Sequence, residues 1–169
     1  AQLINLRVLD SNGIGSDASV ISGIQRAIQL KNQYNIRVLN LSLGRPVATA
    51  CAVDPLCQAV QQAWNAGIVV VVAAGNEGRN NSAGNTGYGT ITAPGNSPYV
   101  ITVGAMNTMG TLSASDDKMT SYSSKGPTPI DHVVKTDLIA PGNRILSAGV
   151  NGSLEEQYPH NRVTHYASN

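Results

Sequence analysis

Gly67-Ile-Val-Val-Val-Val-Ala-Ala-Gly-Asn-Glu-Gly78 is the stretch that decides the fold. Five β-favouring apolar residues, Ile68 to Val72, run without alternation, the pattern of a parallel strand covered on both faces. The chain then narrows to Ala73, Ala74 and Gly75, where backbone can come close to another group. Asn76 follows, with a neutral amide that donates hydrogen bonds. In α/β proteins the carboxyl ends of the strands form the mouth where ligands sit. An amide held at that mouth can stabilise an oxyanion.

Outward from this strand, the hydrophobic pattern alternates between strands and helices. Leu3 to Leu9 reads as a strand and Asp10 to Asp17 as a polar loop. Ala18 to Asn32 reads as a helix, with Val20, Ile21, Ile24, Ala27 and Ile28 on one face and Asp17 as its cap. Ile36 to Leu41 is the second strand. Asp54-Pro55 opens the next helix, Asp as cap and Pro at the first helical position. Leu56, Val60, Ala63 and Trp64 form its stripe, and Asn65-Ala66-Gly67 ends it. Ile68 to Ala74 and Tyr99 to Val103 are the third and fourth strands. This order predicts an α/β fold, a parallel, doubly wound sheet with helices on both faces. Gly75 to Pro98 is a long polar loop, a feature that is usually functional. After Gly104 the helical period gives way to short strands at Met119–Ser123, Leu138–Ile139 and Ile145–Leu146, then a polar tail from Asn151.

Composition excludes several function classes. The 169 residues carry a formal charge of +1 with 12% charged residues and no Lys/Arg block. That argues against nucleic acid or an anionic membrane as partner. The apolar run Ile68 to Ala74 is far too short to span a bilayer. Cys51 and Cys57 lie in a loop-like segment without other Cys or His at zinc-ligand spacing. A disulfide between them closes a short loop, worth about 2–3 kcal/mol in the chain-entropy model. Paired cysteines and a Ser/Thr/Asn/Gly-rich, weakly charged chain predict an exported protein. His132, His160 and His165 lie in polar stretches and read as surface residues. Asp116-Asp117 reads as a solvated turn.

Further motifs occur in a telling order: Ser42-Leu43-Gly44, Gly75-Asn76-Glu77-Gly78, Thr92-Ala-Pro-Gly95, Ser121-Tyr-Ser-Ser-Lys-Gly-Pro127 and Asp137-Leu-Ile-Ala-Pro-Gly142. Together these resemble the subtilase family of subtilisin-like serine peptidases, from Leu3 to about Ser147. The resemblance implies that Asn76 is the oxyanion-hole donor. It implies that Ser42, Leu43 and Gly44 pair with an extended substrate and wall its specificity pocket. Ala73, Ala74 and Gly75 form the opposite wall, their small size leaving room for a sizeable apolar side chain. Gly13 and Gly15 match the other substrate-pairing edge. Pairing on both sides is strand addition, with affinity from backbone hydrogen bonds and preference from pockets. The implied partner is a peptide or protein substrate. No cofactor is implied and no metal-ligating side chain is assigned. Some members bind a cation through carbonyls at the turn matching Gly95–Val100, and such sites leave no side-chain signature.

The departures are equally informative. The family's D-[TS]-G, H-G-T-H and G-T-S-M-A motifs, which carry the catalytic aspartate, histidine and serine, are absent. The chain therefore reads as one partial peptidase domain over 1–169, with a core over 1–147 and a polar segment over 148–169. It is expected to be part of a secreted serine endopeptidase and inactive alone. The alternative is a non-catalytic peptide-binding or structural module. Gly13-Ile-Gly15-Ser-Asp-Ala18 also fits the dinucleotide fingerprint G-x-G-x-x-A. Three polar residues separate it from the strand, however, and the ribose-binding acid is missing after Leu41. In the family, the strand bearing the aspartate lies between those matching Leu3–Leu9 and Ile36–Leu41. Without it, either these two strands close up or the slot between them drives self-association, the outcome expected here.

Overall fold

Helix α2 (Pro55–Asn65) forms where its local chemistry demands. Asp54 accepts a hydrogen bond from the Leu56 N–H at 2.9 Å, and Pro55 fills the first helical position. Helix α1 (Asp17–Tyr34) starts on a capping box in which Ser16 and Ser19 satisfy each other's backbone N–H groups. Ser16, rather than Asp17, is thus its cap. Asp17 instead becomes a first-turn acid, favourable at the positive end of the helix dipole. Asn35 ends α1 in the left-handed conformation at φ 51°. The computed structural model describes residues 2–147, 156 and 158–161.

Strands β1 (Val38–Leu41), β2 (Val69–Ala73) and β3 (Ile101–Asn107) pair in parallel in that order. β5 (Leu138–Pro141) pairs with β3 in parallel, while the two-residue β4 (Lys118–Met119) pairs with it antiparallel. Met106 faces Pro141 on one side and Met119 on the other. β4 therefore takes over the edge of β3 where β2 has ended. That handover frees Ala74 onward to leave the sheet.

The core sits between the sheet and the two helices. Val20 and Ile24 of α1, Leu56, Val60 and Ala63 of α2, and Val70 and Val72 of β2 form one buried cluster with Ile68 and Val100. Fully burying a Val or Ile side chain is worth about 1.5–3 kcal/mol. α1 and α2 pack against each other. The α/β class and parallel sheet are as expected; among the described residues both helices share one face. Val71 and Ala73, on the alternate face of β2, are half-buried.

Three short segments depart from expectation. Leu3–Leu9 forms no strand: residues 2–8 run without a ladder partner. A strand exists only through its neighbours' hydrogen bonds, and β1 does not reach this segment. The direct closure of the two is therefore not seen. A groove of about 760 Å³ lies instead between residues 2–8, the apolar face of α1 and β1. Ile145–Leu146 also forms no strand, and Ser121–Ser123 is a turn following β4. Apart from residues 156 and 158–161, where Pro159–Asn161 form a single turn, the tail from Asn151 lies outside the described residues.

Candidate active site

The narrowing of β2 into Ala73-Ala74-Gly75 has a visible cause. Ala74 donates to the Val103 carbonyl at 2.9 Å, and its own carbonyl accepts from Thr92 N at 3.0 Å. The Gly75 carbonyl accepts from Ser124 N at 2.9 Å, Glu77 N donates to Ser124 Oγ at 3.0 Å, and Gly78 N donates to the Tyr122 carbonyl at 2.9 Å. The backbone on both sides of Asn76 is thus pinned to Tyr122–Ser124. Asn76 itself is exposed, and its side-chain amide makes no hydrogen bond among the described residues. The backbone that carries the side chain is held in place, and the amide donors are not spent on the described residues.

A cavity of about 380 Å³ opens beside it. Ser42, Leu43 and Gly44 line one side, and Ala73, Ala74, Gly75 and Asn76 the other. Glu77, Thr92, Val103–Ala105 of β3 and Ala140–Gly142 within and after β5 complete the lining. The segments from β1, β2 and β5 lie at the carboxyl ends of parallel strands, and Val103–Ala105 is the middle of β3. The two walls are joined below by an antiparallel bridge, Arg45 N to the Ala93 carbonyl at 3.0 Å and Ala93 N to the Arg45 carbonyl at 2.9 Å. The backbone of Ser42 and Gly44 takes no part in that pairing and stays available to an extended ligand.

Gly13 and Gly15 are not among the residues lining this cavity. Their loop is organised by the Asp10 carboxylate, which accepts from Asn12 N at 2.8 Å and Ile14 N at 2.9 Å. It leads directly into α1, whose Asp17 is bound by Arg45 Nε at 2.9 Å. The loop is thereby tied to the segment just beyond Gly44. Arg45 Nη2 also meets the buried Asp54 carboxylate at 2.8 Å. The hydrogen bond that Arg45 donates to Asp17, with a further contribution from Asp54, holds its guanidinium above its usual pKa despite partial burial.

Thr92 is the lining residue that sequence reading left without a role. Its Oγ1 donates to the Ala74 carbonyl at 3.3 Å. A Cβ added at Gly44 would lie 2.6 Å from Thr92 Oγ1, and one at Gly75 would lie 2.8 Å from Thr92 Cγ2. Gly75 also has a φ of +107°, which an L side chain rarely adopts. Thr92 therefore stands between the two walls and takes part of the room that the small residues leave. The only signal was its place in Thr92-Ala-Pro-Gly95.

Cys51 and Cys57 form the expected disulfide, Cα atoms 5.4 Å apart, joining a single 3₁₀ turn to α2. His132 and His160 are exposed, as expected, and His165 lies outside the described residues. Asp116 accepts from Thr111 Oγ1 at 2.9 Å within its own turn. No described helix is long and apolar enough to cross a membrane. Among the described residues no group of three His, Cys, Asp or Glu could hold a metal ion.

The chain is 42% identical over 153 residues to the serine protease AprX of Bacillus subtilis (strain 168), covering 87% of this chain and 33% of that protein. It is 37% identical over 147 residues to subtilisin E of the same organism, covering 87% and 32%. Among solved structures, sphericase superposes with a TM-score of 0.67 at 26% identity, over 86% of this chain and 44% of that one. The chain thus spans about a third of the length of these curated relatives. The model of the subtilase family matches residues 1–168, and the chain belongs to that family.

Proposed function

We propose that this chain is the substrate-groove and oxyanion-hole portion of a secreted subtilisin-like serine endopeptidase. The observation that carries the reading is Asn76, exposed beside the cavity on a pinned backbone with its amide unspent. In peptide hydrolysis the former carbonyl oxygen becomes negative in the tetrahedral intermediate. A fixed neutral donor that meets it there lowers the barrier without reorganising. Ser42–Gly44 pairs with the substrate backbone on one side, and Gly13–Gly15 offers the second edge. The side chain before the scissile bond enters the cavity between Gly44 and Gly75. The nucleophile, base and orienting acid are supplied by sequence other than these 169 residues, none of which carries their motifs. Export is supported by the Cys51–Cys57 disulfide.

The missing motifs favour one second reading, a peptide-binding module without hydrolysis. One experiment separates the two. The complete protein that contains this sequence is assayed on a peptide library, beside the 169-residue chain alone. The peptidase reading expects turnover by the complete protein and none by the chain. Peptide binding without turnover by the complete protein would overturn it.

A further inference from the structure

Arg79 is a charged side chain just beyond Asn76 that the proposed reaction does not use. It is exposed, and its Nε donates to Ser121 Oγ at 3.0 Å. Its guanidinium carbon stands 6.0 Å from the centroid of the Tyr122 ring, at the outer limit of a cation–π contact. Tyr122 is itself fixed at both ends. Its carbonyl accepts from Gly78 N at 2.9 Å, and its hydroxyl donates to the Gly142 carbonyl at 2.7 Å. Gly142 lines the candidate active-site cavity. One chain of contacts thus holds Arg79 at the rim of that cavity.

Among the described residues the charge on Arg79 meets no carboxylate. The ion pairs seen there all involve Arg45 or Lys135, and neighbouring Glu77 takes part in none of them. Nε is spent on Ser121, while Nη1 and Nη2 make no hydrogen bond among the described residues. These two nitrogens present the planar fork that matches a carboxylate. Strand order says which part of a substrate passes it. β1 flanks β2 on one side, and β3 followed by β5 flanks it on the other. Ser42–Gly44 follow β1, Asn76 lies beyond β2, and Gly142 follows β5. A substrate that pairs with Ser42–Gly44 before its scissile bond and meets Asn76 at that bond therefore leaves over Tyr122 and Arg79.

We infer that Arg79 favours substrates with an acidic side chain, Asp or Glu, at the first or second position after the scissile bond, a preference that rests on the peptidase reading above. Stacking on Tyr122 and the bond to Ser121 restrict the arginine before substrate arrives, so less side-chain entropy is lost on binding. The pair forms at an exposed rim, where one ion pair contributes modestly. The effect is accordingly a bias among substrates and not a requirement.

The test measures kcat/KM of the complete protein on matched peptides that carry Glu, Gln or Lys at those two positions. Glu should exceed Gln about threefold and Lys about tenfold at low salt. The Glu-to-Gln ratio should fall toward one in about 1 M sodium chloride, where the Debye length is about 3 Å. Arg79→Gln should bring that ratio to about one at low salt, and Arg79→Lys should keep part of it. A purely structural role would lower turnover of all peptides together. A Glu-to-Gln ratio of one in the parent, or one that survives in Arg79→Gln, would overturn the inference. If the complete protein cleaves none of the peptides, the peptidase reading fails, and their binding affinities decide the role of Arg79. Tighter binding of the Glu peptides, lost in Arg79→Gln, supports it, and equal binding contradicts it.

Discussion

The two long sides of β2 and β1 make an instructive contrast. At the carboxyl end of β2, the backbone of Ala74, Gly75, Glu77 and Gly78 is tied to Thr92, Val103, Tyr122 or Ser124. Along the outer side of β1 no backbone tie is seen among the described residues. Val69 N donates to the Arg37 carbonyl, so odd-numbered residues of this stretch face β2. Val38 and Asn40 must then turn their N–H and C=O groups toward the groove of about 760 Å³. Leu3, on the opposite bank, is 95% exposed. One region is a pinned strand end beside a cavity, where the Asn76 amide makes no hydrogen bond among the described residues. The other is an edge of the kind that natural sheets cover or pair. Its amides and apolar side chains are arranged for a neighbour that the described residues do not supply.

On the tied side, the largest effect on stability is expected at Arg45. It joins the start of α1 to the cap of α2 directly behind Gly44. Arg45→Ala leaves the buried Asp54 carboxylate without its cation and should cost about 2–3 kcal/mol in chemical denaturation, part of the buried-pair penalty being relieved by solvent. A loss below half a kcal/mol would show that the wall does not depend on this joint. Replacing Cys51 and Cys57 together by serine should cost about 2–3 kcal/mol by the loop-entropy argument. Equal urea midpoints for that variant and the parent would remove the disulfide from the account.

Thr92→Gly should widen the cavity between Gly44 and Gly75. In the complete enzyme, kcat/KM for substrates with a large aromatic side chain before the scissile bond should rise about tenfold relative to small ones. An unchanged ratio would mean that Thr92 does not limit this pocket. The smallest signal belongs to the open side. Amide exchange at Val38 and Asn40 should outpace that at Val71 and Val72, which are paired with both β1 and β3. Equal protection would close the contrast between the regions. Protection that grows with protein concentration would mean that a second copy pairs along β1, the self-association expected from sequence.

The same contrast explains what could be read from sequence. The valine run and the Asp54-Pro55 start depend on residues within a turn of each other, and β2 and α2 formed where their patterns placed them. Leu3–Leu9 has an equally good strand composition. It failed because a ladder partner is a property of another segment. Ser16 took the cap from Asp17 because Ser19 completed a reciprocal box, and Asp17 was then free for Arg45, 28 residues away. The site's walls were legible through motif order. Thr92 was not, since it acts through contact with a backbone carbonyl, which carries no side-chain signature.

The central claim is that the end of β2 presents a preorganised oxyanion donor. Steady-state kinetics of Asn76→Ala in the complete enzyme tests it most directly. The account predicts a fall in kcat of roughly 10²–10³ with KM little changed, because the donor acts on charge that develops only in the transition state. A kcat equal to that of the parent enzyme would contradict it.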